Sequence, residues 1–173
     1  TLDVSLRSGE GALLRRCRDP KISRAESFRY EIPQKQSDTR PVVVGFGPAG
    51  MFAAITAAQN GSQVLLLEKN SRLGKKLLIT GKGRCNVTND CTAQEVLQNI
   101  PRNGRFLFST LTAFPPERIM EFFNTHGCPL KTERGNRVFP VSDKSVSVQD
   151  CLQRELRRQN VTVKTARVRE ILT

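Results

Sequence analysis

Histidine and the large aromatics are nearly missing from this 173-residue sequence, which has one His, one Tyr and no Trp. With His126 alone, any metal site would depend on five cysteines: Cys17, Cys85, Cys91, Cys128 and Cys151. No two of them form a C-x-x-C pair, so a zinc centre is not expected. An odd set of free thiols suits a reducing compartment. The shortage of Tyr and Trp removes the usual platforms for stacking single-stranded bases. No apolar run approaches the roughly 20 residues of a membrane span. No signal-like apolar segment opens the chain, so a cytoplasmic protein with no membrane partner is expected.

Acidic residues are also in short supply. The net charge is +12, and there is no run of five or six like charges. Residues 1–40 carry nine Lys/Arg against six Asp/Glu, and residues 41–173 carry nineteen against ten. A dispersed basic surface suits phosphate-bearing ligands, with a basic nucleic-acid-binding module as the less favoured alternative. Apolar residues are thin before Pro41 and denser after it. The sequence therefore reads as a polar N-terminal appendage or remnant (1–40) followed by a domain (41–173). Within 1–40, a strand is expected at 2–6, a helix at 11–18, a strand at 27–32 and a linker at 34–40.

The strongest signal is Val42-Val43-Val44-Gly45-Phe46-Gly47-Pro48-Ala49-Gly50. A valine run, expected to be a strand buried on both faces, ends at Gly45, and a small-residue helix opens near Gly50. Gly45 permits the tight turn. Gly47 removes a side chain where backbone must approach a pyrophosphate, and Gly50 allows close helix–strand packing. Pro48 and Ala49 occupy the first turn, whose free N–H groups and positive dipole end favour an anion. Asn60-Gly61 stops the helix, and 63–67 forms a second strand, making the size of a βαβ unit. That strand runs into Glu68, 23 positions after Gly45, with Lys69 beside it. A carboxylate there accepts ribose hydroxyls and repels a 2′-phosphate, which favours FAD or NAD over NADP.

Beyond Lys69 the spacing predicts a Gly-rich basic loop over 71–89, short helices at 93–100 and 103–112, and an amphipathic helix over Pro116–Thr125. Strands at 130–134 and 137–141 flank Gly135-Asn136 as a β-hairpin. Ser142 reads as the N-cap of a helix to 159, with Val146, Val148, Cys151, Leu152 and Leu156 on its apolar face. Strands follow at 161–165 and 168–172.

Several candidate residues have a plainer alternative. Lys76 and Arg84 fit either a pyrophosphate or flavin contact or a solvated basic loop, whereas Lys75 and Lys82 fit the solvated loop better. Cys85 reads more readily as a small packed residue than as a redox thiol, because no second cysteine stands in C-x-x-C geometry. His126 reads as a helix-terminal histidine. Phe106, Phe108, Phe122 and Phe123 read as core, and Arg154, Arg157 and Arg158 as a solvated face.

The stretch Leu73-Gly74-Lys75-Lys76-Leu77-Leu78-Ile79-Thr80-Gly81-Lys82-Gly83-Arg84-Cys85-Asn86-Val87-Thr88-Asn89 resembles the BaiN-type, or aminoacetone-oxidase-type, family of FAD-dependent NAD(P) oxidoreductases. Asn99-Ile100-Pro101-Arg102-Asn103 and the segment from Lys131 to Lys144 extend the resemblance over about 41–172. Residues 1–50 are more similar to the NAD(FAD)-utilising dehydrogenases. The resemblance implies an α/β, Rossmann-like FAD-binding domain: a βαβ core with a parallel sheet and an inserted β-hairpin, incomplete at its C-terminus. It implies that Gly45, Gly47 and Gly50 hold the FAD pyrophosphate and that Glu68 holds the adenosine ribose. It further implies that Lys76 and the loop containing Gly81, Gly83, Arg84, Cys85 and Asn86 lie toward the flavin, with Val168 offering backbone to the adenine. The implied activity is hydride transfer between a nicotinamide, NADH or NADPH, and a small-molecule substrate. Reduction of unsaturated steroid ketones and oxidation of aminoacetone belong to individual branches of the family.

Overall fold

The computed structural model describes the backbone of residues 2–7, 27–29 and 40–172 and the side chains of 40–171. The helix expected at 11–18 and nearly all of the linker expected at 34–40 lie outside the described residues, as does Cys17. In chain order the elements are β1 (Leu2–Arg7), β2 (Ser27–Arg29), β3 (Val42–Val44), α1 (Pro48–Gln59), β4 (Leu65–Glu68), α2 (Lys75–Ile79), a 3-10 turn at Thr80–Gly83, β5 (Thr88–Asn89) and α3 (Ala93–Gln98). A second 3-10 turn at Gly104–Leu107 follows, then α4 (Phe108–Ala113), α5 (Pro116–Thr125), β6 (Leu130–Glu133), β7 (Arg137–Pro140), α6 (Ser145–Arg158) and β8 (Thr162–Leu172). Two compact units result: Thr1–Leu73 with Leu156–Thr173, and Gly74–Glu155. Among the described residues, no helix is long and apolar enough to cross a membrane.

The first unit is built on a five-stranded parallel sheet in the order β2-β1-β8-β4-β3. β4 (Leu65–Glu68) is buried along its whole length, as a central parallel strand requires. Leu65, Leu67 and Ala166 form a core cluster against which Val42 and Val168 pack. The helix α1 buries Met51, Ala54 and Ile55. It closes at Asn60 and Gly61, whose φ of +87° is a left-handed stop.

Two expectations are corrected in this unit. β3 lies at an edge of the sheet rather than inside it, and Val44 is 55% exposed. Nor are there two strands near the C-terminus. β8 runs unbroken, pairing with β4 over Thr162–Thr165 and with β1 over Ala166–Leu172. No glycine or proline interrupts 161–172, and the two halves hydrogen-bond to different neighbours.

The second unit carries a three-stranded antiparallel sheet, β5-β7-β6. β6 and β7 form the expected hairpin, closed by Gly135 (φ +76°) and Asn136 (φ +57°). Two successive left-handed residues make the turn, and Gly and Asn both enter that region at low cost in either order. α5 spans the expected residues, with Pro116 and Glu117 in its first turn and Phe123 buried. α3 begins with a capping box between Thr92 and Glu95 that the sequence reading had missed.

Four further expectations are corrected here. The basic stretch 71–89 is not all loop: Leu77 buries itself as the anchor of α2, and a 3-10 turn follows. Phe106 and Phe108 are 84% and 60% exposed rather than core, because the short 3-10 turn and α4 bury no residue. Ser142 does not cap α6. Asp143 turns left-handed (φ +56°), and the Ser142 hydroxyl instead accepts the Lys144 N–H at 3.3 Å, so the helix starts at Ser145. Val146 is 45% exposed, whereas Val148, Cys151, Leu152 and Leu156 are buried as expected.

Candidate functional site

The glycine turn joins β3 to α1. Gly45 has φ +105°, and its N–H donates to the Leu67 carbonyl at 2.8 Å, which ties the turn to β4. A methyl group on Gly50 would stand 2.0 Å from the Gly45 carbonyl oxygen and 3.4 Å from Val43 Cγ1. The third glycine is thus required by helix–strand contact, as its spacing suggested. A methyl group on Gly47 would meet no atom of the described residues within 4 Å. The space above the second glycine is open to an approaching ligand.

Gly47 is the N-cap of α1 in extended geometry (φ −80°, ψ 172°), and no side chain caps the helix. Pro48 brings no N–H. The first intrahelical bond, from Met51 N–H to the Gly47 carbonyl, leaves the Ala49 and Gly50 N–H groups without a partner among the described residues. Gly47, Pro48 and Ala49 are exposed. Two free donors at the positive end of a 12-residue helix make an anion cradle.

Glu68 ends β4 on the same side of the sheet as this turn. It is 8% exposed and hydrogen-bonded by backbone and amide donors. The Phe46 N–H donates to Oε2 at 2.7 Å, and Asn70 donates to Oε1 through its N–H at 2.9 Å and Nδ2 at 2.6 Å. Burial alone would push this carboxyl up. The N–H groups of Asn70 and Phe46, the Asn70 amide and the Lys69 N–H together outweigh burial and hold it below the usual carboxylate range. Glu68 is therefore an anion at neutral pH that also locks the glycine turn. Lys69 is exposed, and Val168 is partly buried in the core cluster. The residues Gly45, Phe46, Gly47, Pro48, Ala49, Gly50 and Glu68 are brought together. An anion cradle beside an ionised carboxylate fits a dinucleotide pyrophosphate and its ribose.

The other candidates belong to the second unit. Lys76 is exposed on α2. The turn after it is unusually left-handed: Gly81 (φ +55°), Lys82 (+57°), Gly83 (+84°) and Cys85 (+62°). A methyl group on Gly81 would stand 2.9 Å from Asn86 N and 3.3 Å from Phe139 Cε1, so this glycine is required by packing. The Cys85 N–H returns to the Thr80 carbonyl at 3.0 Å, closing the turn, while Asn86 is exposed. The Cys85 thiol is buried. Burial pushes it up against the opposing pull of the Thr80 side chain, the reverse of what a reactive thiolate needs.

Arg84 is committed to other residues of the same unit. It forks onto Glu133 at 2.5 and 3.2 Å, reaches Asp143 at 2.5 and 2.9 Å, and lies 4.2 Å over the Phe139 ring. Lys131 joins the same two carboxylates, at 2.7 Å from Asp143 and 3.3 Å from Glu133. Arg154 is likewise not a purely solvated residue, since it donates to the His126 and Gly127 carbonyls at 3.2 and 3.3 Å and closes the end of α5. His126 stacks on Phe122 at 4.4 Å and sits at that same helix end, where it was expected.

Sequence reading did not find Phe46, Asn70, Lys131, Glu133 or Asp143. Phe46 lies within the glycine stretch and Lys131, Glu133 and Asp143 within the segment from Lys131 to Lys144, where sequence reading gave them no role of their own; Asn70 lies outside both.

A nucleotide-binding α/β domain of the Rossmann type is what this sheet, turn and carboxylate define. The family model described as "HI0933-like protein Rossmann domain" matches residues 39–172, and the chain belongs to this family. It is 38% identical over 125 residues to the 3-dehydro-bile acid delta(4,6)-reductase of Clostridium scindens, a match covering 71% of this chain and 30% of that protein. It is 32% identical over 121 residues to the ribosomal RNA dihydrouridine synthase of Escherichia coli, covering 70% and 30%. A shorter match, 48% over 64 residues, reaches the NADH oxidase of Thermoanaerobacter brockii, covering 37% of this chain and 10% of that protein. The chain thus spans about a third of the length of the first two relatives. Its fold and kinship are those of the FAD-binding Rossmann domain of flavin oxidoreductase-like proteins.

Proposed function

We propose that the chain is the FAD-binding portion of a flavin-dependent NAD(P)H oxidoreductase acting on a small organic substrate. The observation that carries this reading is the uncapped N-terminus of α1. Among the described residues the Ala49 and Gly50 N–H groups have no partner, Gly47 is exposed, and Glu68 is hydrogen-bonded into the same turn. Gly45, Gly47, Pro48, Ala49 and Gly50 hold the pyrophosphate through backbone N–H groups. Glu68 accepts from the adenosine ribose, with Lys69 beside it, and Val168 contributes backbone toward the adenine. The family resemblance is what assigns Lys76 and the turn of Gly81, Gly83, Arg84, Cys85 and Asn86 to the flavin end of the cofactor. When bound, FAD supplies hydride transfer through its N5 position; the protein supplies position and electrostatics.

The relatives' names narrow the substrate class. One relative is named a reductase of a 3-dehydro-bile acid at delta(4,6) and the other a synthase of dihydrouridine in ribosomal RNA, and both names fit reduction of an unsaturated substrate. An electron-poor alkene is therefore the acceptor to test first. A second reading is binding of FAD or ADP without turnover, since an uncapped helix N-terminus holds a phosphate whether or not a reaction follows.

Purification of the 173-residue chain with added FAD tests both readings. A bound-flavin spectrum that bleaches with NADH or NADPH and recovers with an electron-poor alkene supports the oxidoreductase. A stable yellow protein that no nicotinamide reduces supports the binding-only reading. A colourless chain that takes up neither FAD nor ADP overturns both.

A further inference from the structure

One exposed stretch of the second unit has no part in the site above. Phe106 is 84% exposed and Phe108 60%. Neither ring contacts another ring among the described residues. Arg102 and Arg105 are exposed and make no ion pair among the described residues. No Asp or Glu lies between Glu95 and Glu117, so the charge of the stretch is purely positive. Arg105 and Phe108, three positions apart where the 3-10 turn passes into α4, share a face. The backbone beneath them is tied down. Asn103 is left-handed (φ +56°), and its carbonyl accepts the Phe106 N–H at 3.0 Å. A methyl group on Gly104 would stand 3.1 Å from the Leu97 carbonyl oxygen, so the turn lies close against the end of α3. A fixed turn thus holds two aromatic rings and two unpaired cations out to solvent.

We propose that Arg102, Arg105, Phe106 and Phe108 form a binding surface for a single-stranded polynucleotide, with bases stacked on the two rings and phosphates paired with the two guanidinium groups. Every base has a π-face and every linkage a negative charge, so this combination takes a single strand with little regard to its sequence. An anionic bilayer would share the attraction to arginine, but the neighbours of the rings disfavour it. Asn103, Ser109 and Thr110 are all exposed. Their amide and hydroxyl groups can pair with base edges, whereas hydrocarbon would leave them without partners. The shortage of Tyr and Trp argued against stacking platforms; phenylalanines turned outward supply them instead. The inference goes beyond the dinucleotide reading and does not depend on it.

Fluorescence anisotropy of labelled oligouridylate and oligodeoxythymidylate, each of about twelve nucleotides, titrated with the full 173-residue chain, tests this against a DNA duplex of the same length. The wild type is expected to bind the single strands about tenfold more tightly than the duplex. Tighter binding of oligouridylate identifies RNA as the source of the strand, and tighter binding of oligodeoxythymidylate identifies DNA; both support the surface. Phe106→Leu with Phe108→Leu keeps apolar bulk, removes the rings, and is expected to weaken single-strand binding about tenfold. Arg102→Ala with Arg105→Ala is expected to lower the slope of log K against log salt by about 1.4, the share of two phosphate contacts on a single strand. All four side chains are exposed, so neither pair of changes should unfold the chain. Equal affinity for duplex and single strand, or unchanged affinity in the leucine variant, overturns the inference. So does an unchanged salt slope in the arginine variant, which would place the binding on other basic residues of the chain. Binding to phosphatidylserine vesicles that the leucine variant retains or loses, with no uptake of either oligonucleotide by the wild type, overturns it in favour of a membrane surface. FAD and ADP uptake is expected to be the same in both variants as in the wild type, so failure of this inference leaves the dinucleotide reading as it stands.

Discussion

One added methyl group has opposite consequences at position 47 and at position 50. At Gly50 the new carbon would fall 2.0 Å from the Gly45 carbonyl oxygen, so α1 must move away from β3. Gly50→Ala is expected to cost about 1–3 kcal/mol, as overpacking does, measured by urea unfolding. At Gly47 the carbon meets no atom of the described residues, and the backbone is already extended. Gly47→Ala is expected to leave stability within about 0.5 kcal/mol while weakening FAD and ADP binding. Equal binding losses in the two variants would show that Gly47 does not face the ligand. Glu68→Gln is a third residue-scale case. One end of the amide presents N–H to a donor, either at Phe46 or at Asn70. A buried donor left unpaired costs about 1–3 kcal/mol, and more than one is at stake here. The Glu68 carboxyl is held below its ordinary value of 4.5 in the folded chain. Its contribution is therefore present above that ordinary value and fades as the pH falls through the lower, folded one. The stability gap between wild type and Glu68→Gln should be constant at neutral pH and narrow on acidification; a gap that widens in acid contradicts the assignment.

Among the elements, the hairpin β6–β7 and the left-handed turn at 81–85 are joined by side chains rather than by backbone pairing. Arg84 reaches Glu133 from 49 positions away and Asp143 from 59, and Lys131 bridges the same carboxylates. Glu133 is held below its ordinary value by Arg84 first and Lys131 second, and Asp143 by Lys131 first and Arg84 second. The network's contribution is thus present above the ordinary carboxylate range and lost as the pH falls below it. Surface ion pairs are weak singly and are screened by salt. Arg84→Ala is expected to destabilise modestly at low ionic strength, with most of the difference gone in 1 M salt, because the Debye length there is about 3 Å. A difference that persists in high salt would assign it to the packing of Arg84 over Phe139 instead. The hairpin was legible beforehand because its turn residues and flanking strands are adjacent in sequence. The role of Arg84 was not, since no spacing rule relates residues so far apart.

For the molecule as a whole, cofactor binding and thiol chemistry give global readouts. A ligand that binds only the folded state stabilises it by about 2.7 kcal/mol at a concentration 100 times its Kd. FAD is expected to raise the unfolding midpoint accordingly, and FMN, which lacks the adenosine ribose, is expected to raise it less. Cys85, Cys128 and Cys151 are buried and Cys91 is not. Burial pushes the Cys151 thiol up to about 11 and the other two in the same direction. In a Cys17→Ser background one thiol, Cys91, should therefore react with a disulfide reagent ahead of unfolding, and the other three only as the chain unfolds. Early labelling of Cys85 would return it to the redox candidates. The sequence by itself determined the cofactor class, because a strand, three glycines at fixed offsets, a small-residue helix and a carboxylate at the next strand's end are short-range features. Local dihedral preference and chain spacing position all of them. Only the tertiary structure decided that Val44 lies on a sheet edge, that Phe106 and Phe108 face outward, that Arg84 serves two carboxylates, and that Phe46 and Asn70 donate to different oxygens of Glu68. Those outcomes depend on which distant groups pack against which, and on where a buried charge finds its donors, and neither is encoded in the pattern of neighbouring residues.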